Sequence, residues 1–138
     1  MRKVILSMLA ISAIAIFFGC DKEEQLNIES GNLSGSRWVR EYKYDGPVSR
    51  TEETYTVKFT STTAGTRTRT GWYQTWQYSQ GGSGGWSQRQ TVNETDNFTY
   101  IYAPELRQGV ITMNNRDYIF SISENYKELS WNGTYQLQ

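Results

Sequence analysis

The sequence contains no histidine and only one cysteine, Cys20. Without histidine, the chain can form neither a Ser-His-Asp triad nor a Cys-His pair, nor a histidine-ligated zinc or copper site. One cysteine cannot form a disulfide within the chain, so packing alone must stabilise the folded part. No glycine-rich phosphate motif of the P-loop or dinucleotide type is present. We therefore expect no metal and no cofactor.

The charges are balanced, with 14 basic and 14 acidic residues. A nucleic-acid-binding surface needs clustered basic residues, so we expect no nucleic-acid partner. The densest basic pair, Arg67 and Arg69, lies in a threonine-rich stretch that we interpret as a solvated strand face.

Paired carboxylates are the remaining route to catalysis, because glycoside hydrolysis needs only two acids. Glu52 and Glu53 are adjacent in a loop-like segment, and we place Glu94 and Asp96 in a polar turn over residues 93–97. Neither pair is set in an apolar environment that would raise the pKa of one acid. We predict that the protein is not an enzyme.

The N-terminus has the pattern of a secretory signal. Arg2 and Lys3 precede Val4–Phe18, a run of 15 residues in which only Ser7 and Ser12 are polar. Such a run is too short for an ordinary membrane span but suits the apolar core of a signal peptide.

Gly19 and Cys20 close this run, and the junction resembles the lipobox of bacterial lipoproteins. The resemblance implies that Cys20 carries the acyl chains, palmitate among them, and becomes the first residue of the mature protein. The following Asp21-Lys22-Glu23-Glu24 is similar to the lipoprotein export signal of Bacteroidota, which implies display on the cell surface rather than a periplasm-facing position. The alternative is an unmodified Cys20 on a strand of the domain.

We divide the chain into a signal peptide over residues 1–20, a flexible tether over 21–35 and one domain over 36–138. Period-two alternation of apolar and polar residues recurs through that domain, while helical periodicity is missing. Asn114-Asn115 and Asn132-Gly133 are signals for tight hairpin turns.

This pattern predicts an all-β fold of eight or nine antiparallel strands in an up-and-down meander, closed into a small barrel. A β-sandwich is the structural alternative. Gly35 and Trp38 form a Gly-x-x-Trp motif at the first strand, and the chain resembles the small lipocalin-like and calycin-like lipoproteins of Bacteroidota. In that family the motif's tryptophan plugs the closed end of the barrel.

Aromatic residues flank a glycine-rich run over residues 81–85, and flat rings with polar edges suit the faces of sugars. The candidate ligand-binding residues are Trp72, Gln74, Trp76, Tyr78, Trp86 and Gln88. The alternative is that these rings are core residues paired across strands.

The barrel interior is the second candidate site, because eight-stranded barrels are either filled by side chains or hold one small ligand. The side chains expected to point inward are Trp38, Tyr55, Phe59, Tyr100, Tyr102 and Phe120. Such bulky rings favour a filled interior over one that binds a small apolar ligand.

The sequence therefore predicts a lipid-anchored outer-membrane lipoprotein with a non-catalytic β-barrel that binds a glycan or another small molecule. The alternative function is protein interaction, as an accessory subunit that docks on an envelope protein or as an inhibitor.

Overall fold

The computed structural model describes residues 27–138, which form a short helical turn over residues 27–29, nine antiparallel strands and one 3-10 turn. The predicted signal peptide and Cys20 lie outside the described residues. The strands are β1 (Arg37–Asp45), β2 (Ser49–Phe59), β3 (Ala64–Tyr78), β4 (Gly84–Trp86), β5 (Gln90–Ala103), β6 (Gln108–Met113), β7 (Arg116–Ile122), β8 (Glu128–Ser130) and β9 (Thr134–Leu137). The 3-10 turn, η1 (Pro104–Leu106), connects β5 to β6. No helix in this part of the chain is both long enough and apolar enough to cross a membrane.

Eight of the strands close into a barrel. Each pairs with the next along the chain, except that β3 pairs with β5 beyond the short β4, and β9 returns to pair with β1. The β1–β9 pairing at Trp38 and Val39 closes the ring, so the barrel prediction is confirmed and the β-sandwich is excluded. β4 is an extra strand that pairs only with the far end of β3.

Two predicted hairpin turns are confirmed by the backbone. Asn114 and Asn115 both adopt positive φ, at 53° and 60°, between β6 and β7. Asn132 (φ 50°) and Gly133 (φ 133°) do the same between β8 and β9. Asparagine and glycine tolerate the left-handed region better than other residues, which explains why these pairs occupy the turns.

Aromatic rings fill the centre of the barrel. Phe59 lies 4.7 Å from Tyr100, 5.6 Å from Phe98 and 5.8 Å from Phe120, measured between ring centroids. The buried core consists of Ile28, Leu33, Trp38, Val57, Phe59, Phe98, Tyr100, Ile111, Met113, Phe120, Ile122, Leu129, Trp131 and Tyr135. The residues predicted to point inward all belong to this core or, for Tyr55 and Tyr102, are partly buried against it.

The Gly-x-x-Trp segment lies at one end of this core. Trp38 is fully buried, and its indole Nε1 donates a hydrogen bond to Ser36 Oγ at 2.9 Å. Gly35 adopts a φ of 88°, and its amide donates to the carbonyl of Phe59 at 2.7 Å, which attaches the incoming chain to the end of β2. The first residues that the structure describes therefore pack against the end of the barrel where Trp38 is buried.

The predicted tether over residues 21–35 is too long. Ile28 and Leu33 are buried in the core, and residues 27–29 form a short helical turn. Two large aliphatic side chains in one short segment gain more from burial than from exposure to water, so the chain folds back onto the barrel. Residues 21–26 lie outside the described part of the chain.

The predicted turn over residues 93–97 is also wrong, because these residues continue β5 without a break. Arg67 and Arg69 of β3 stand opposite Asp96 and Glu94 of β5, so opposite charges pair across the two strands. Cross-strand ion pairs of this kind stabilise this part of β5 as a strand, although its composition alone predicts a turn.

The barrel is taller on one side than on the other. β1, β2, β3 and β5 have 9 to 15 residues, whereas β6 to β9 have 3 to 7. The long strands therefore extend past the barrel as a sheet, and the aromatic candidates lie on that extension.

Candidate functional site

The tryptophans of β3 and β4 lie on the outer face of the extended sheet. Arg67 lies over the buried ring of Trp131 and Arg69 binds the buried Glu53, so both point inward, and strand alternation places Trp72 and Trp76 on the opposite face. Trp76 pairs with Trp86 of β4, and the two rings meet edge to face, with centroids 5.3 Å apart and an interplanar angle of 81°. These indoles are half-buried and do not belong to the core.

Two arginines lie on the faces of these indoles. The guanidinium carbon of Arg50 is 4.1 Å from the centroid of the Trp86 ring, and that of Arg89 is 4.0 Å from the centroid of the Trp72 ring. The quadrupole of an aromatic ring attracts a guanidinium group to the ring face, and this attraction stabilises the contact by about 0.5–1 kcal/mol at exposed sites. Each contact therefore holds a positive charge at the surface of the extended sheet.

The two arginines differ in their carboxylate partners. Arg50 Nε donates to Asp45 Oδ1 at 2.7 Å. Within the described residues, no carboxylate oxygen lies within 4.0 Å of the Arg89 guanidinium. Of the two stacked arginines, Arg89 is therefore the one whose hydrogen-bond donors are available to an anion.

The remaining candidates are distributed unevenly. Gln74 lies among the tryptophans, and its Nε2 donates to the carbonyl of Ser87 at 2.8 Å, which ties the end of β4 to β3. Tyr78 is 78 % exposed beside the loop over residues 79–83, and Gln88 is exposed between β4 and β5. The structure therefore brings Trp72, Gln74, Trp76 and Trp86 together and leaves Tyr78 and Gln88 at the margin.

A groove of about 280 Å³ lies beside Trp72. Its lining residues are Lys43, Tyr44, Asp45, Arg50, Thr51, Glu52, Trp72, Gln74 and Arg89. We call this surface, together with Trp76 and Trp86, the Trp–Arg groove. Enclosed ligand pockets usually measure about 300–1,000 Å³. The groove is smaller, so it suits one segment of an extended ligand better than a whole compact one.

Sequence reasoning placed Trp72, Gln74 and Trp86 in a candidate site but missed Lys43, Arg50 and Arg89. Lys43 and Arg50 were missed because they reach the groove through the register of β1, β2 and β3. Lys43, Glu52 and Trp72 form one row across β1, β2 and β3, and that pairing cannot be read from the chain alone. The signal that could have found Arg89 is its position three residues after Trp86, at the base of the same hairpin.

Sequence reasoning also missed a second polar cluster, inside the barrel. Glu53 is buried, and Arg69 donates to both of its carboxylate oxygens, at 2.6 Å and 3.0 Å. Tyr55 donates to Glu53 Oε2 at 2.6 Å and Thr51 donates to Oε1 at 3.1 Å. The interpretation of Arg67 and Arg69 as a solvated strand face is therefore wrong, because both side chains point into the barrel, where they form ion pairs.

The pKa values of Glu53 and Tyr55 shift in opposite directions, and the contacts of this cluster explain both shifts. The hydrogen bonds from Arg69 hold the pKa of Glu53 below its usual range, and burial beside Glu53 raises the pKa of Tyr55. A carboxyl group serves as a general acid near neutral pH when its pKa is raised. Glu53 is shifted the other way, so it is an ionised partner of Arg69.

Comparisons with protein-family models, with curated proteins and with solved structures find no match to this chain.

Proposed function

We propose that this protein is a lipid-anchored, non-catalytic binding barrel of the outer membrane, displayed at the cell surface, and that it binds a glycan bearing acidic groups in the Trp–Arg groove. The observation that carries this proposal is the stacking of Arg89 on Trp72 and of Arg50 on Trp86. An acidic sugar has an anionic group that a guanidinium can bind, and the two indoles hold the guanidinium groups at the surface where such a ligand would meet them.

An acidic glycan fits this groove better than a neutral one. A neutral sugar that stacked on the covered faces of Trp72 and Trp86 would first have to displace the arginines. An acidic group can instead bind Arg89 where it lies, through the charge-assisted hydrogen bonds that guanidinium makes with carboxylates. Lys43 is a third cation among the residues that line the groove. The lining also contains two acids, Asp45 and Glu52, and Asp45 already binds Arg50.

The barrel interior is less suited to an apolar ligand. The end near Trp38 is packed with the rings around Phe59, and the interior further along β3 contains the ion pairs of Arg69 and Arg67. An apolar molecule that entered past these ion pairs would have to desolvate or displace their charges, at a cost of several kcal/mol.

The anchor rests on the sequence around Cys20. A single acyl chain binds a membrane only marginally, whereas the several chains of a lipobox cysteine hold a protein stably. Mass spectrometry of the protein isolated from membranes of a lipoprotein-processing bacterium should find a diacylglyceryl adduct on Cys20 and no residue before it. The Cys20→Ser variant should remain unacylated. An unmodified Cys20 in the native protein would contradict the anchor.

Glycan binding is tested by a fluorescence titration of the mature protein with a panel of acidic and neutral polysaccharides. A variant with Trp72→Ala and Trp86→Ala should lose binding in isothermal titration calorimetry, a readout that does not depend on the substituted indoles, while its β-sheet circular dichroism persists. Tyr73→Ala is the matched control, since Tyr73 is the neighbouring ring on the opposite face of β3. The proposal fails if no polysaccharide binds, or if the double variant binds as the native protein does.

A further inference from the structure

An apolar patch lies on the outer wall of the barrel, away from the Trp–Arg groove. Ile101, Val110 and Ile119 stand directly opposite one another on β5, β6 and β7 and form one aliphatic row. Their neighbours Tyr100, Ile111 and Phe120 are buried, so alternation turns the row outward. Ile101 is 72 % exposed and Ile119 is 74 % exposed.

The 3-10 turn after β5 extends this row. Leu106 is 65 % exposed and lines, together with the row, a hollow of about 400 Å³. The other lining residues are Tyr102, Ala103, Gln108 and Gly109, so no ionised side chain borders the hollow. We call Ile101, Leu106, Val110 and Ile119 the aliphatic patch. Contiguous exposed apolar surface of this kind marks contact with a membrane or another protein.

The chain leaves the barrel towards Cys20 beside this patch. Gly31 lies against the ring of Pro104, since a β-carbon at Gly31 would stand 2.9 Å from Pro104 Cγ. Pro104 begins the 3-10 turn that ends with Leu106. The buried side chains of Ile28 and Leu33 fix this segment to the barrel, so its exit point does not drift from the patch.

The length of chain beyond that exit limits how far the patch can be from the anchor. Six residues, 21–26, separate Cys20 from Asn27. At about 3.5 Å per residue, even a fully extended chain spans at most about 25 Å. An acylated Cys20 therefore keeps this corner of the barrel close to the lipid headgroups, at a high effective concentration relative to the bilayer.

We infer that the aliphatic patch docks on the lipid surface of the membrane that holds the anchor, with its side chains inserted at the boundary between headgroups and acyl chains. This inference rests on the lipid anchor of the proposed function. Interfacial binding grows with the apolar area that enters this boundary. Docking through β5, β6 and β7 fixes which side of the barrel faces lipid, and the opposite side, around β1, then faces away from the membrane.

The test attaches an environment-sensitive nitrobenzoxadiazole dye to the lipidated full-length protein at Ile119→Cys. An acylated Cys20 has no free thiol, so the dye reacts at the introduced cysteine alone. Glu41→Cys is the matched control, because Glu41 is exposed on β1, which lies opposite β6 in the ring of eight strands. Each protein is inserted into vesicles of phosphatidylethanolamine and phosphatidylglycerol.

We expect the dye at Ile119 to emit at least twofold more strongly and at shorter wavelength than the dye at Glu41, and to be quenched by a lipid-borne quencher. Leu106→Cys provides a second labelling site if Ile119→Cys does not fold. Equal emission from the patch and from Glu41 would overturn the inference. So would a signal that depends on protein concentration but not on the quencher, since it would assign the patch to a second copy of the chain. Dye found on Cys20 would instead show that the anchor itself is absent.

Discussion

Arg69 holds the buried carboxylate of Glu53 through two hydrogen bonds across the β2–β3 pair, at 2.6 Å and 3.0 Å. The Glu53 side chain is 4 % exposed, whereas that of Arg69 is 34 % exposed. The ion pair therefore links a buried carboxylate to a guanidinium that is partly in contact with solvent. Glu53 stands opposite Gly71, which has no side chain, and Arg69 of the same strand reaches its carboxylate from two residues away.

Replacing Glu53 by glutamine should destabilise the protein by about 2 kcal/mol, because Arg69 loses its ionised partner and buried hydrogen bonds to a charged group are weakened. Urea unfolding of both proteins measures the difference. Asp45→Asn, which removes the exposed partner of Arg50, is the control and should cost about 1 kcal/mol or less. Equal effects of the two substitutions would contradict the assigned burial of Glu53.

Stability should decline as the pH falls below about 4. The pKa of Glu53 is lowered chiefly by the hydrogen bonds from Arg69, and that of Asp96 chiefly by Asn114 and then by Arg67. A carboxyl whose pKa is lower in the folded protein than in the unfolded chain stabilises above its unfolded pKa. That stabilisation is lost as the pH falls through the folded pKa.

The urea midpoint between pH 7 and pH 2 measures this loss. Glu53→Gln should show a shallower decline than the native protein, since glutamine does not titrate. A decline of the same size in both proteins would mean that Glu53 is not one of the groups responsible.

The barrel could be predicted from the sequence because its short strands alternate in plain form. Tyr55, Val57 and Phe59 alternate with polar residues, and Asn132-Gly133 is a strong turn signal. Residues 93–97 could not be placed, since Asn, Glu and Asp are common in turns and only the arginines of β3, far away in sequence, make them a strand. Non-local ion pairing overrides local preference at this point.

Phe59→Ala should cost about 4 kcal/mol, because the Phe59 ring contacts three other aromatic rings and no neighbour can fill the space it leaves. Thermal or urea unfolding measures the loss. Ile119→Ala is the control, and as a surface substitution it should change stability by about 0.5 kcal/mol or less. A small effect at Phe59 would indicate that the aromatic core is loosely packed.

Gly71→Ala should destabilise the protein by more than about 1 kcal/mol. Gly71 has a φ of 145°, and a β-carbon there would lie 2.1 Å from the carbonyl oxygen of Glu52. Gly85→Ala is the control, since a β-carbon at Gly85 meets no atom within 4 Å. The urea midpoint of Gly71→Ala should be lower than that of Gly85→Ala. A Gly71→Ala protein as stable as the native one would contradict the close approach of β2 and β3 at Gly71.

The candidate site could be predicted only in part. The aromatic residues of the β3–β4 hairpin are visible as a cluster in the sequence, and the structure keeps four of the six candidates together. Of their arginine partners, Arg89 lies three residues after Trp86, but Arg50 could not be foreseen, because it comes from β2 and its position over Trp86 depends on strand register. The positive charge over the indoles therefore depends on how the strands pair, which the composition of the hairpin does not reveal.

The most direct measurement is a tryptophan fluorescence titration of the mature protein with oligogalacturonate and with its methyl-esterified, uncharged form. The account predicts saturable binding of the acidic form, at least tenfold weaker binding of the ester, and a similar loss in Arg89→Ala. It also predicts no loss in Arg37→Ala, an exposed arginine at the other end of the barrel. Equal binding of the two forms, or native affinity in Arg89→Ala, would contradict the assignment of the Trp–Arg groove to an acidic glycan.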